Sequence, residues 1–509
     1  MQLKQIRVLF IILSGLAVSG LLIFLFGVRL ELSLVRYFDA DEMAYLHWAH
    51  NVYSGLLPYR DFLQYVPPGF LYILAPVYVF FEGTSVLMAG RIVAFCIFMV
   101  MTGLLFAIFW RVRHSKMAVW AAIMLIFLPV PADKLLEIRP DTLATALALL
   151  GLYWHIEALR GTKGYVRWTM AGFWYGVSLL ILPKTLPQIA VAGLVSVLWC
   201  VWGDGTRVYK VRALVQLAAG MGIPAGIFAV WIGVTARSWI VVMTAVYSLT
   251  KLPFEVNRIG EVFGMAPDLF FYPNATYYGQ PGWSAGLLAN HVVWFIGLMT
   301  GCFRLVTPFL PGGRKGVFTE LLIAGSLLAQ VAVFIYGYPM RHAQYLIPIA
   351  VFVSFYAADA LYIVRNTLSR LRGGAVIGCI GTLILVYGMW NSTVSVNTPK
   401  FALTNREDIG ILERALRTIP KNAYVFDLVG STLYYKDPYY VCCVPFGQWE
   451  PYLSRTLPDL ASALETTGTQ YVYQGRLERV NTLSLRDKTY IRTHFSPLAG
   501  DSSFLVRNK

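Results

Sequence analysis

An apolar run long enough to cross a bilayer recurs eleven times in this chain of 509 residues, and no other feature constrains its fold as strongly. The runs cover residues 8–28, 85–110, 117–131, 141–158, 168–183, 187–202, 213–235, 286–303, 317–337, 345–364 and 374–391. The hydrocarbon core of a membrane is about 30 Å thick, and a helix crosses it in roughly 20 residues. Backbone polar groups find no water there, so each run is expected to be a helix. The first run follows Lys4 and Arg7. It exceeds the apolar core of a signal peptide, about 7–15 residues, and shows no clear cleavage pattern, so a retained anchor is expected. Two shorter runs, 69–81 and 238–250, are expected to re-enter or lie in the interface. If exactly one of them crossed, every later loop would change sides.

The charges test this count. The chain carries a net +15, which on a soluble domain would suggest nucleic acid. Here the excess has a different address. Lys4 and Arg7, the Arg111–Lys116 loop, the Arg160–Arg167 loop, the Asp204–Arg212 loop, Arg304–Lys315 and Arg365–Arg372 hold 17 basic residues against one acid, Asp204. They fall on every second loop. Basic residues mark the cytoplasmic side, so the N-terminus is expected inside and, after eleven crossings, the C-terminus outside. The basic balance is therefore a topology signal, and no nucleic-acid partner is expected. A hydrophobic share of 57% excludes disorder, and six cysteines cannot staple a chain of this length.

The composition changes near residue 397. Thr404–Thr418 has helical periodicity, Leu457–Thr466 reads as a second helix, and Ala423–Phe426, Tyr439–Val444 and Tyr471–Tyr473 read as short strands. Residues 398–509 are expected to form a small extracytoplasmic α/β domain attached to the membrane module of residues 1–397. Cys442 and Cys443, adjacent on an expected strand, should point to opposite faces as one buried and one exposed thiol, which is favoured over a vicinal disulfide.

Polar chemistry collects in the outer loops, expected at residues 29–68 and 132–141. The first carries Asp39, Asp41, Glu42, His47, His50, Tyr59, Arg60 and Asp61. A carboxylate just after a membrane span can serve as a general base at the bilayer surface. His47 and His50 share a helix face; packing or substrate contact is favoured over a metal site. The second loop reads Asp133-Lys134-Leu135-Leu136-Glu137-Ile138-Arg139-Pro140-Asp141. Five ionisable groups in nine residues at a membrane edge are costly unless paired or used, although Asp141 also suits a helix cap. Lys184 and Arg341 belong to the same face. Arg91, inside the second run, calls for a carboxylate or a phosphate, or else snorkels to the headgroups. Cations near carboxylates suit a lipid-linked phosphate leaving group and an acceptor hydroxyl. No G-x-x-x-x-G-K-[ST] loop for a nucleotide is present.

These residues resemble those of GT-C-class, lipid-dependent glycosyltransferases. The resemblance is closest to the bacterial branch holding rhizobial lipopolysaccharide-core transferases, the lipid A aminoarabinose transferase and protein O-mannosyltransferases. It rests on Asp41-Glu42, Gly55-x-x-Pro58-Tyr59-Arg60-Asp61, Pro67-Pro68, Arg91 and Glu137-Ile138-Arg139-Pro140-Asp141. It implies a polytopic α-helical membrane protein with a GT-C fold, in the inner membrane. It also implies inverting transfer of a monosaccharide from a polyprenyl-phosphate donor to an envelope glycolipid, polysaccharide or protein. Asp41 takes the base position, with Asp39 as competitor; Glu42 and Asp141 complete the acidic set. Arg91 and Lys184 become phosphate contacts, and Arg139, Arg341, His47 and Tyr59 further substrate contacts. No cofactor is required, with a divalent metal left open. The histidine-rich stretch His47–His50 departs from the lipid A enzyme. Two alternatives remain: a secondary transporter, which expects paired broken helices and mid-bilayer charges, and an envelope polymerase or ligase using the long segment 235–285.

Overall fold

With no helix breaker in its way, the first helix runs well past its apolar stretch. In the computed structural model α1 spans Gln2–Val35, 34 residues, or about 51 Å at 1.5 Å per residue. The loop expected on the outer side therefore opens at Arg36 and not at Arg29. The structure describes residues 2–161, 164–236, 239–250, 276–277, 280–281, 284–307, 316–337, 342–371, 373–444, 450, 453 and 456–508.

After α1 come α2 (Ala40–Tyr53), the short α3 (Gly69–Leu74) and α4 (Val77–Phe80), then α5 (Ser85–Arg113). The chain continues through α6 (Ala118–Phe127), α7 (Pro129–Leu136), α8 (Pro140–Arg160), α9 (Tyr165–Ile181) and α10 (Leu186–Trp202). Next are α11 (Arg207–Ala236), α12 (Trp239–Thr250), α13 (Ala285–Val306), α14 (Val317–Ala332), α15 (Ile347–Leu368) and α16 (Gly374–Asn397). All eleven apolar runs are helical. Among the described residues nine helices are long and apolar enough to cross a membrane, or ten with the bent pair α6–α7. The protein is a polytopic membrane protein.

Two of the expected spans take a different form. Residues 117–131 do not run straight: the chain bends by 80° between α6 and α7, where Pro129 and Pro131 interrupt the helix. The bend leaves carbonyls at the end of α6 without helical partners. Arg29, buried on α1, donates to the carbonyls of Ile126 (2.8 Å) and Phe127 (2.7 Å) and so closes that end. The fifth expected span, α9, is only 17 residues long. Small residues draw it tightly onto α11: a Cβ on Gly172 would lie 2.0 Å from the Leu217 carbonyl oxygen. Backbones that close exclude any larger side chain.

The C-terminal part begins as α16 passes into a 3₁₀ turn, Thr398–Ala402. Asn405 then donates its backbone N–H to the carbonyl of Val35 (3.0 Å) and its side-chain amide to that of Leu34 (2.7 Å), capping the end of α1. A hairpin of β1 (Thr276–Tyr277) and β2 (Gln280–Pro281) precedes α13. The C-terminal part itself contains β3 (Val425–Phe426), β4 (Tyr471–Tyr473), β5 (Phe495–Leu498) and β6 (Asp501–Arg507), in the order β3-β4-β6-β5. Only the β3–β4 pair is parallel. Helices α17 (Arg406–Thr418), α18 (Leu460–Thr466), α19 (Leu477–Val480) and α20 (Leu485–His494) flank it.

Residues 439–444 are not a strand, and Cys442 and Cys443, both buried, are bonded to each other, contrary to the expectation of free thiols. Apolar side chains of the segment between α1 and α5, among them Phe38, Met43, Trp48 and Phe62, share one cluster with Leu412, Phe426, Leu433, Val472 and Phe504. The sheet thus sits directly on the loop that carries the acidic residues.

Candidate active site

The local sequence explains how the first acidic loop is held. Asp39 is the N-cap of α2: its carboxylate accepts from the Asp41 N–H (3.0 Å), and Glu42 reaches back to the Asp39 N–H (2.9 Å). This capping box aligns three carboxylates at one helix start, where the helix dipole favours negative charge.

The second loop meets it. From α7, Lys134 donates to Asp39 Oδ2 (3.0 Å) and to both Glu137 oxygens (3.0 and 2.9 Å). Arg139, in the extended residues before α8, pairs with Asp41 Oδ2 at 2.7 Å and lies 3.8 Å from Asp39. In the first turn of α8, Asp141 accepts from Lys184 (2.7 Å), and its Oδ2 is 3.7 Å from Arg139 Nε. Asp141 makes no side-chain cap bond; it serves the ion cluster instead. Lys184 lies in a 3₁₀ turn, Pro183–Thr185, with Nζ 3.9 Å from the Tyr345 ring centre. Asp39, Asp41, Lys134 and Lys184 keep between 20% and 35% of their side chains exposed.

Beneath this open face lies a closed layer. Arg91 binds both oxygens of Glu42 and donates to the carbonyls of Ser33 (2.9 Å) and Tyr37 (2.9 Å). Its guanidinium also stacks 4.5 Å over the Phe38 ring. Arg36 donates to Glu137 at 2.5 Å, and the Ile138 N–H donates to Glu42 at 2.9 Å. Arg91 and Glu42 are fully buried. Of the two partners expected for Arg91 the structure supplies the carboxylate, Glu42, and both side chains are closed off from the open face.

Electrostatics follow this layering. Burial alone would raise the Asp39 carboxyl, but Lys134 and Arg139 outweigh it and hold Asp39 well below the usual carboxylate range. Burial opposes the charge of Arg139, and Asp41, Glu137 and Asp141 more than restore it. Burial pushes the Tyr45 and Tyr65 hydroxyls up; both rings feel Asp41 and Arg139, so they line the same cluster. Arg139 Nε is buried without a hydrogen-bond partner among the described residues.

Of the sequence-derived residues, Asp41, Arg139, Asp141 and Lys184 converge, with Asp39 beside them. His47 and Tyr59 do not join them. Both ring nitrogens of His47 are taken, Nδ1 by the Leu433 carbonyl (2.9 Å) and Nε2 by Asp437 (2.8 Å), so the ring holds the C-terminal part against α2. Tyr59 is buried in the left-handed region (φ 67°), and its hydroxyl donates to the Val66 carbonyl (3.0 Å). Arg341 lies outside the described residues, as does most of the segment 235–285. Sequence reasoning passed over Arg36, whose signal was its spacing of seven from Arg29 on one face of a continued α1. It also passed over Tyr65 and Tyr345, which only folding brings to the cluster.

No family model matches the chain, and no curated protein matches it. Solved structures do. ArnT from Cupriavidus metallidurans bound to undecaprenyl phosphate is 13% identical, with a TM-score of 0.59 over 97% of each chain. Its apo state gives 12% identity and a TM-score of 0.58 over 100% of this chain and 98% of that one. The archaeal oligosaccharyltransferase AglB from Archaeoglobus fulgidus, in complex with an inhibitory peptide and a dolichol-phosphate, gives 13% and 0.51. There the match covers 89% of this chain and 69% of AglB. The fold is the GT-C fold that these proteins share.

Proposed function

We propose that this GT-C-fold protein is a glycosyltransferase that moves a monosaccharide from a polyprenyl-phosphate donor to an acceptor outside the cytoplasm. The observation that carries this reading is one cluster of carboxylates and cations, half open, at the end of the bundle under the C-terminal part. The full-length likeness to a protein bound to undecaprenyl phosphate supports a lipid-phosphate donor. The basic loops at the other end support an inner-membrane protein with the N-terminus inside and the C-terminal part outside.

Asp41 is the most exposed carboxylate of the cluster at 35%, and it acts as the base. It takes the proton of the acceptor hydroxyl as that oxygen attacks the anomeric carbon, on the face opposite the leaving phosphate, which inverts the centre. Asp39 is held by Lys134 and a cap bond and is the weaker competitor. Lys184 and Arg139, whose Nε has no hydrogen-bond partner among the described residues, stabilise charge on the departing lipid phosphate. Asp141 orients both cations. Arg91 and Glu42 are positioning residues: their closed pair joins α5, the start of α2 and the Ile138 backbone.

The acceptor is an envelope glycolipid, polysaccharide or protein. Comparing envelope glycolipids and glycoproteins by mass spectrometry between a deletion strain and strains carrying wild type or Asp41→Asn tests the reading. A sugar absent from the deletion strain, restored by wild type and not by Asp41→Asn, is the expected result. Full restoration by Asp41→Asn would exclude Asp41 as base.

A further inference from the structure

One titratable side chain at the site has no part in the scheme above. His342 stands just ahead of the 3₁₀ turn Ala343–Leu346, which packs on α7. Its ring stacks on that of Tyr345, centres 6.2 Å apart. Tyr345 in turn covers Lys184 Nζ. The half-buried imidazole thus stands on the cationic side of the cluster, and the charged groups that face it are Lys184, Arg139, Asp41 and Lys134. Burial first, then Lys184 and Arg139, hold its pKa below the ordinary histidine value, so it is neutral at neutral pH.

The charge balance says why a neutral imidazole matters there. Asp39, Asp41, Glu42, Glu137 and Asp141 face Arg36, Arg91, Lys134, Arg139 and Lys184, so the cluster is neutral as a set. A polyprenyl-phosphate sugar is a phosphodiester with one negative charge. Transfer leaves a phosphomonoester with two. An uncompensated charge in a half-buried site is costly, and a proton is the nearest compensation.

We propose that His342 is a catalytic residue that receives the acceptor's proton and, as imidazolium, donates a hydrogen bond to the departing lipid phosphate. The inference rests on the transfer reading above and names where its proton goes. The acceptor O–H bond breaks and the oxygen bonds the anomeric carbon. The bond from that carbon to the phosphate oxygen breaks, and its electron pair stays on the phosphate. The proton passes by way of Asp41 to the imidazole, where it faces the new negative charge.

The test uses the purified full-length protein and undecaprenyl phosphate, titrated calorimetrically at pH 7 in two buffers of different ionisation enthalpy. Wild type should take up roughly one proton more per lipid bound than His342→Gln. In parallel, the His342 imidazole signal in wild-type protein with labelled histidine should move to the imidazolium position on saturation. Absence of lipid binding by wild type would overturn the transfer reading itself. Binding with equal proton uptake by both proteins, or with an unmoved imidazole signal, would overturn the role of His342 and leave that reading standing. If His342→Gln fails to fold, the wild-type imidazole signal decides alone.

Discussion

Helix α5 carries an ion-paired arginine near each end, the buried Arg91 and the largely covered Arg113, about 33 Å apart along the helix. Their surroundings differ in one respect that matters. At the Arg113 end, Asp359 is fully buried, with Arg113 (2.7 and 2.9 Å) and Arg304 (2.6 and 3.0 Å) on it, while Glu320 takes the rest of Arg113. Two cations meet two anions and little is left open. At the Arg91 end the inner layer is closed in the same manner, but a second layer of Asp39, Asp41, Lys134 and Lys184 faces outward. Buried charge alone therefore marks a staple between helices. A site needs the exposed excess above it.

The comparison breaks first at Asp41. Asp41→Asn should lower transfer by about 10²–10⁴-fold, the usual worth of a general base, with thermal stability close to wild type. A comparable fall in stability would make Asp41 one more staple. Next come the staples themselves. Glu42→Gln takes the carboxylate from buried Arg91, and Asp359→Asn removes the buried carboxylate that Arg113 and Arg304 share; breaking a buried pair costs on the order of 3–5 kcal/mol. Both should cut Tm and yield, measured on purified protein, but Asp359→Asn should leave the turnover of the folded fraction unchanged. Glu42→Gln should lower it, because Glu42 also holds the Ile138 backbone. Lys184→Met should raise the Kd for undecaprenyl phosphate several-fold with a small change in Tm, since one face of Lys184 is open.

A gentler effect concerns pH. Burial opposes protonation of His47, yet Asp437 outweighs it and raises the His47 pKa above the ordinary value. A group with a raised folded pKa contributes stability that is fully present below its unfolded pKa, near 6.5, and is lost as pH rises through the folded value. Tm should therefore decline as pH climbs above about 6.5, and His47→Gln should flatten that slope. The smallest effect is expected for Arg417→Ala, which removes an exposed pair with Glu413 and should leave Tm unmoved.

How far the site was legible follows from what each residue needs. Asp41, Arg139, Asp141 and Lys184 stood out because charge at the end of an apolar run is costly whatever the fold. Arg91 stood out for the same reason, but its partner was unreadable. Glu42, Ser33 and Tyr37 come from three different stretches, and only their convergence turns an apparent phosphate contact into a closed pair. His47 looked like part of the acidic loop until the C-terminal part supplied Leu433 and Asp437. In that part, α17 was visible from its period, whereas β6, which opens Asp501-Ser502-Ser503, has too polar a start to announce a strand.

The sequence by itself determined that this chain is a bundle of membrane helices whose loops carry charge in two different patterns, basic on one set and mixed on the other. Lipid cannot solvate backbone or charge, and that rule acts on each segment locally. The tertiary structure decided which charges cancel and which remain available. Pairing energy depends on the distance between side chains far apart in sequence, and on how much water still reaches them.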